Sequence, residues 1–381
     1  MATDMSLFER LNQIEDPRVL RTRLHPLINI LVIAVLAALC GAEGWEDMVE
    51  FGEAKFDWLS ERLDMSNGVP CADTFRRVFE RLAPKVLAEV FVAWADTLRQ
   101  DAAPGRSKGV IALDGKALRH SFDTATNQSA VHVVSVFASD ARLVLAQRKV
   151  DNKSNEIPAV PELLALLDVK GCVVTADAMH CQKQTAAQIV AQRADYVLCV
   201  KDNQPTLCQD IAALFEIAGD RRLTDTETVD CTSTDKGHGR IETRTCRAIE
   251  LSGLGDAWQD VISQWAGLRC VAQITRTRQI GEKTEKETRY YISSLPASPR
   301  RLLHAVRSHW SIENCLHHIL DVSFNEDACR VRRDNSPQNL AVIRHIAVNL
   351  LRHDKQSKRG IKARRKRAGW DPAYLDHLLT I

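Results

Sequence analysis

Hydrophobic positions are distributed in three different ways along the chain. Residues 27–42 (LINILVIAVLAALCGA) are apolar apart from Asn29. The run is shorter than the about 20 residues that cross a bilayer, and it begins too far in for a secretory signal. It predicts a buried helix. Trp45, Met48, Val49, Phe51, Phe56, Trp58 and Leu59 then recur among acids at helical spacing through Leu63. Asp73 or Thr74 can cap a helix carrying Phe75, Val78, Phe79 and Leu82, and Pro84 opens another over 85–98. Gly68-Val69-Pro70 punctuates this region, and Asp101–Lys108 (DAAPGRSK) ends it as a linker.

From residue 109 the period shortens. GVIAL (109–113), 131–138, 142–150, GCVVTA (171–176) and 196–200 are β-rich runs, and 157–167 and 182–193 are helical. The order β–β–β–α–β–α–β predicts an α/β, RNase-H-like mixed sheet with flanking helices. Residues 227–231, 240–250, 268–276 and 285–293 predict antiparallel strands, with turns at 236–239 and 279–283, as a β-rich insertion in that core. Helices return over 300–322 and 336–352, the second with Ser336 as N-cap and Pro337 at its first position.

The 381 residues are 45% hydrophobic and 26% charged, which excludes a disordered or multi-spanning chain. Eleven scattered cysteines, with no C-x-x-C, argue against a disulfide framework or zinc ribbon and favour a reducing cytosol. The net charge of +2 conceals an asymmetry. Residues 299–367 carry 16 Lys+Arg against 6 Asp+Glu, a net of +10, on an otherwise acidic body. Such a block implies a polyanionic partner.

Two carboxylates close predicted strands: Asp114 follows GVIAL and Asp177 follows GCVVTA. On neighbouring strands both emerge at one sheet edge, where ligands of open α/β sheets bind. Paired acids there suit Mg²⁺, a hard cation that takes carboxylates and substrate phosphates; either Asp could equally terminate a strand. Glu313, in RSHWSIEN (307–314), is a third acid on a predicted helix, with His309 and His317 at i−4 and i+4. That spacing also suggests zinc, but the H-E-x-x-H motif is absent.

At this point the chain resembles the H-repeat-associated insertion-sequence transposases, a bacterial DDE transposase family. The matching strings include PLINILVIAVLAALCGAEGWEDMVEFG (26–52), IALDGKALR (111–119), VVTADAMHCQKQTAAQIV (173–190), GHGRIETR (237–244) and RSHWSIENCLHHILDVSFNEDACRVR (307–332). The resemblance implies a catalytic and metal-binding triad of Asp114, Asp177 and Glu313. Glu326 and Asp327 are alternative third acids. Related transposases carry Tyr, Arg and Lys around the Glu; here those positions are Val306, His309 and Leu320, the HWxIEN variant. The implied cofactor is two Mg²⁺ ions, with Mn²⁺ able to substitute, flanking the scissile phosphate. The expected function is strand cleavage and strand transfer at element ends. The alternatives are a domesticated nuclease or a non-catalytic DNA-binding regulator.

Expected partners are double-stranded DNA, as terminal inverted repeats and target, and a second copy in a homodimer. No membrane is expected, and the cytoplasm, at the nucleoid, is the expected location. The tract 352–367 holds nine Lys+Arg and one acid, so Lys362, Arg364, Arg365, Lys366 and Arg367 are candidate phosphate contacts. Lys116 and Arg119 after the first Asp, Lys201, Arg240 (with Lys236, His238 and Arg244 in one hairpin), Arg307, His309, Trp310, Asn314, Arg330, Arg332 and Arg333 are further candidates. The expected divisions are a helical transposase-associated domain over 1–103, core segments over 104–226 and 296–355 around an insertion over 227–295, and a basic tail over 356–381.

Overall fold

The computed structural model describes residues 5–102, 109–122, 129–150, 156–219, 229–237 and 239–381. The expected linker from 103 onward, His238 and the first two residues of the strand expected at 227–231 lie outside the described residues. The opening helices are α1 (Leu7–Leu11), α2 (Leu27–Cys40), α3 (Trp45–Ala54), α4 (Phe56–Ser60), α5 (Ala72–Arg81) and α6 (Pro84–Ala102). Strands β1 (Val110–Leu118), β2 (Val131–Ala138) and β3 (Leu143–Val150) follow, then α7 (Glu156–Ala165), β4 (Val173–Ala176), α8 (Lys183–Ala191), β5 (Asp195–Val200) and α9 (Pro205–Gly219). Next come β6 (Val229–Gly237), β7 (Arg240–Glu250), α10 (Gln259–Gln264), β8 (Cys270–Ile280) and β9 (Lys283–Ser293). The chain ends in α11 (Pro299–His309), α12 (His318–Phe324), α13 (Ser336–His353), α14 (Ile361–Trp370) and α15 (Pro372–Leu379).

These elements fall into two compact units, and β1 contributes to both. One unit is Met1–Pro104 with Gly115–Asn155 and Glu313–Ile381; the other is Gly105–Asp114 with Glu156–Ile312. The fold is RNase-H-like, with a mixed sheet and a helical N-terminal region.

In the first unit α2 is buried along nearly its whole length, as its composition predicts. Asn29, its polar member, donates from Nδ2 to the Asp64 carbonyl at 2.6 Å, so its burial leaves the amide paired. Each fully buried Leu, Ile or Val contributes about 1.5–3 kcal/mol, which makes α2 and the equally enclosed α13 the centre of this unit. The local strand order is β3-β2-β1. Asn349 of α13 serves the β3 edge: Val144 N donates to its Oδ1 at 2.9 Å and its Nδ2 donates to Val144 O at 2.8 Å.

In the second unit the order is β1-β4-β5-β9-β8-β7-β6. Strands β1, β4 and β5 are parallel, and β9 pairs antiparallel with β5, from Val197↔Ser293 to Val200↔Tyr290. The insertion strands therefore prolong the core sheet. Leu302, Leu303 and Val306 of α11 pack with Cys246, Ala272, Ile274 and Tyr291 in one buried cluster.

Three local expectations change. The helix expected at 45–63 divides at Lys55. The one expected at 300–322 ends at His309, and a π-helical turn at Glu313–His317 precedes α12. The cap of α13 is Asn335 rather than Ser336, with no side-chain hydrogen bond.

Candidate active site

Strands β1 and β4 pair in register from Val110↔Val173 to Leu113↔Ala176. Asp177 follows the last residue of β4 and leaves the sheet at its carboxyl edge; Asp114 follows Leu113 at the next position but lies inside β1, which runs on to Leu118, so the expectation that Asp114 closes its strand is not met. The four residues before Asp114 are buried, and burial relaxes from Asp114 onward. The Asp177 side chain is 51% exposed.

His309, the last residue of α11, meets Asp177. Its Nε2 lies 3.5 Å from Asp177 Oδ1. Its Nδ1 lies 3.2 Å from Thr175 Oγ1, and that hydroxyl is 3.2 Å from the Ile111 carbonyl. The burial of α11 against the sheet places this ring. The His309 hydrogen bond is the main cause that lowers the Asp177 pKa from its ordinary value; burial opposes it, and the charges of Lys201 and Arg289 assist. His180, buried after the same strand, is pushed down to about 4 by burial and is neutral at pH 7.

In the other unit, Glu313 opens the π-helical turn with an exposed side chain, and its Oε2 lies 3.5 Å from Nδ1 of buried His317. π-helical turns recur at functional sites. The alternative acids are differently placed. Glu326 is 3% exposed and lies 2.9 Å from Lys116 Nζ and 3.7 Å from Arg344 Nη1. Burial raises its pKa, but these cations and His345 outweigh that and leave it lowered. Asp327 accepts ion pairs from Arg119 at 3.2 Å and Lys116 at 3.8 Å.

A family model described as "Transposase DDE domain" matches residues 105–350, and one described as "DDE_Tnp_1-associated" matches residues 8–95. The chain belongs to the DDE transposase family. It is 39% identical over 378 residues to "H repeat-associated putative transposase YhhI" of Escherichia coli, covering 98% of this chain and 97% of that one. "Putative protein YbfL" of the same species is 39% identical over 378 residues at the same coverage. A solved piggyBac transposase synaptic complex with hairpin DNA is similar at TM-score 0.43 and 10% identity, covering 98% of this chain and 80% of that one.

The other candidate residues of this DDE family member separate by environment. Lys201, Asn314, Arg330, Lys362 and Lys366 are exposed. Arg119 is exposed beside Asp327, Arg240 is near Glu242, and Arg307 lies 2.9 Å from Asp235. Trp310 is 38% exposed with the Arg289 guanidinium 4.8 Å over its ring. Arg332 donates to the His120 carbonyl at 3.1 Å and lies over the Phe122 ring. Arg367 pairs with Asp371. Lys116 is nearly enclosed among Asp321, Glu326 and Asp327; burial lowers its pKa, but the carboxylates raise it further. Arg364 donates to the Arg359 and Asp354 carbonyls, and Arg365 is buried with Nε and Nη2 on the Ala38 carbonyl at 3.1 and 2.7 Å. His309 is buried on Asp177. Lys116, His309, Arg364 and Arg365 thus spend their donors inside the protein.

Sequence reasoning missed the Thr175–His309–Asp177 chain and the Lys116–Glu326–Arg344 network. It also missed Trp370, 76% exposed two helical turns beyond Lys362 and one beyond Lys366. Only the i, i+4, i+8 spacing of this last group was visible in the sequence. Among the described residues no single helix is long and apolar enough to cross a membrane.

Proposed function

We propose that this chain is a metal-dependent DNA transposase in which Asp114, Asp177 and Glu313 hold two divalent ions, Mg²⁺ or Mn²⁺. The placement of Asp114 and Asp177 directly after the paired residues Leu113 and Ala176 of adjacent parallel strands carries the reading. Two carboxylates side by side repel unless a cation lies between them, and both offer the hard oxygens that Mg²⁺ prefers. The lowered Asp177 pKa keeps that ligand ionised. Bound ions would activate the attacking water or 3′-hydroxyl and stabilise the leaving oxygen. His309 fixes the Asp177 carboxylate, and Thr175 fixes the His309 ring.

The substrate is double-stranded DNA at the terminal repeats of the element, joined afterwards to target DNA by a homodimer in the cytoplasm. Lys362, Lys366 and Trp370 form a stripe along α14 suited to a phosphate backbone, and Lys201, Arg240, Arg307 and Trp310 serve the second unit. Cleavage of terminal-repeat DNA in Mg²⁺ tests the proposal, with wild type beside Asp114→Asn, Asp177→Asn and Glu313→Gln. Loss of cleavage in all three, with DNA binding retained, is expected. Full cleavage by any of them removes that acid from the site. Cleavage by wild type without strand joining makes the protein a nuclease.

A further inference from the structure

The first unit contains an open cavity of about 540 Å³ that the proposed chemistry leaves unused. Trp45 and Glu46 of α3, Glu80 of α5, Arg330 and Arg333 of the loop before α13, and Ser336 at the start of α13 line it. Its volume falls in the range of small-molecule sites, about 300–1,000 Å³.

Three observations point to the ligand. Ser336 is 1% exposed, and its Oγ has no hydrogen-bond partner among the described residues. A buried hydroxyl left this way costs about 1–3 kcal/mol, which a ligand oxygen would recover. Ser336 also opens an 18-residue helix, whose dipole favours an anion at this end, although Ser336 N donates to the Arg333 carbonyl at 3.1 Å and Pro337 has no N–H. Arg330 is exposed and makes no ion pair among the described residues. Its neighbours are occupied: Arg76 bonds Asp73 and Glu80 at 2.8 and 2.9 Å, and Arg332 is held by His120 and Phe122. The cavity therefore combines a free guanidinium with an unpartnered hydroxyl at a helix amino end. Glu46 adds an exposed carboxylate, and Trp45 an aromatic ring backed by Phe79 at 5.0 Å between centroids.

We propose that this cavity binds a nucleoside phosphate. Arg330 takes the phosphate at the amino end of α13, where the Ser336 hydroxyl gains its partner; Arg333, 3.9 Å from Glu80, stands beside it. Glu46 accepts from the exocyclic amine of cytosine or adenine, and Trp45, 7% exposed, gives the cavity an apolar edge. The ligand can be a free mononucleotide or one unit of a DNA strand. The choice of a nucleotide over other phosphates rests on the DNA reading; the site itself does not need metal.

The test uses the full chain without divalent metal. Calorimetry measures inorganic phosphate, dCMP and dTMP, and anisotropy measures a labelled single-stranded oligodeoxynucleotide. Wild type should bind dCMP or the oligonucleotide more tightly than phosphate. Arg330→Ala should weaken that binding about tenfold, the loss of one charge-assisted bond, with Arg330→Lys retaining part of it. Ser336→Ala should weaken it several-fold, and Glu46→Gln should erase a preference for dCMP over dTMP. Variant-sensitive binding of dCMP assigns the site to free nucleotides; variant-sensitive binding of the oligonucleotide alone assigns it to a strand. Absence of both, binding indifferent to Arg330→Ala and Ser336→Ala, or phosphate bound as tightly as dCMP overturns the proposal. Exposed Arg330 keeps the test open should Ser336→Ala unfold. Binding of dCMP without metal is read apart from DNA cleavage, so failure of the catalytic reading is seen separately.

Discussion

His309 Nε2 lies 3.5 Å from Asp177 Oδ1, joining the end of α11 to the end of β4. The Asp177 side chain remains 51% exposed beside this contact. Partners of this kind typically hold about 10–100-fold of a site's metal affinity. His309→Ala is therefore expected to weaken Mn²⁺ binding by about that factor, read by electron paramagnetic resonance, and His309→Gln to recover part of it. Unchanged Mn²⁺ affinity would remove His309 from this role.

The same pair sets a pH dependence. The Asp177 pKa is lowered in the fold, so its contribution to stability is present above the unfolded value of about 3.9 and is lost as pH falls through the lower folded value. His309→Ala should move the Asp177 titration upward in a carboxyl NMR experiment. No movement would mean that Lys201 and Arg289 alone hold it down.

The buried pair of Lys116 and Glu326, 2.9 Å apart, predicts a strong asymmetry. Removing Lys116 leaves Glu326 with Arg344 alone, at 3.7 Å, and costs up to about 3–5 kcal/mol. Lys116→Met should lower the urea midpoint by that measure, and Lys116→Met with Glu326→Met should restore only part of it, because buried Arg344 then lacks its carboxylate. Glu326, with a lowered pKa, contributes above about pH 4.3 and loses this as pH falls. Lys116, with a raised pKa, contributes below about 10.4 and loses this as pH rises through its folded value. Equal stability of the single and double variants would contradict the coupling.

Arg365 and its neighbours on α14 should separate stability from DNA binding. Arg365→Met removes the donors on the Ala38 carbonyl at the end of α2 and should cost about 1.5–3 kcal/mol in chemical unfolding. Lys362→Ala with Lys366→Ala should leave the unfolding midpoint in place and reduce the slope of log K against log salt by about 2. An unchanged slope would take α14 off the DNA.

Asn349 supplies both partners of Val144 at the β3 edge. Asn349→Leu should cost about 1–3 kcal/mol for each group left unpaired. Faster amide exchange at Val144 is the specific readout, since a general loss of packing would speed exchange throughout β2 and β3.

The elements were legible wherever local pattern and tertiary demand agree. The apolar run of α2, the β-rich composition of β2 and β7, and the strand end at Asp177 all follow from the local sequence. Boundaries moved where a partner distant in sequence decides them. Nothing local marks the break at His309; its ring is drawn to Asp177 and Thr175, which lie on β4 and the residue after it. The basic tract read uniformly as phosphate contacts because charge is visible in a sequence and burial is not. On the folded helix the tract divides by face: Lys362 and Lys366 point to solvent, while Arg365 closes α2.

By itself the sequence determined the RNase-H-like order of strands and helices, the strand end at Asp177 and the basic C-terminal block, because each is a property of neighbours along the chain. Tertiary structure alone decided that Asp114 and Asp177 follow paired residues, Leu113 and Ala176, on adjacent strands, since strand register depends on backbone hydrogen bonds between distant segments. It also decided which charges are spent inside the protein. Lys116, His309 and Arg365 lie in the interior beside carboxylates or carbonyls, where an unpaired polar group costs far more than in water, and packing forces each to take a partner there.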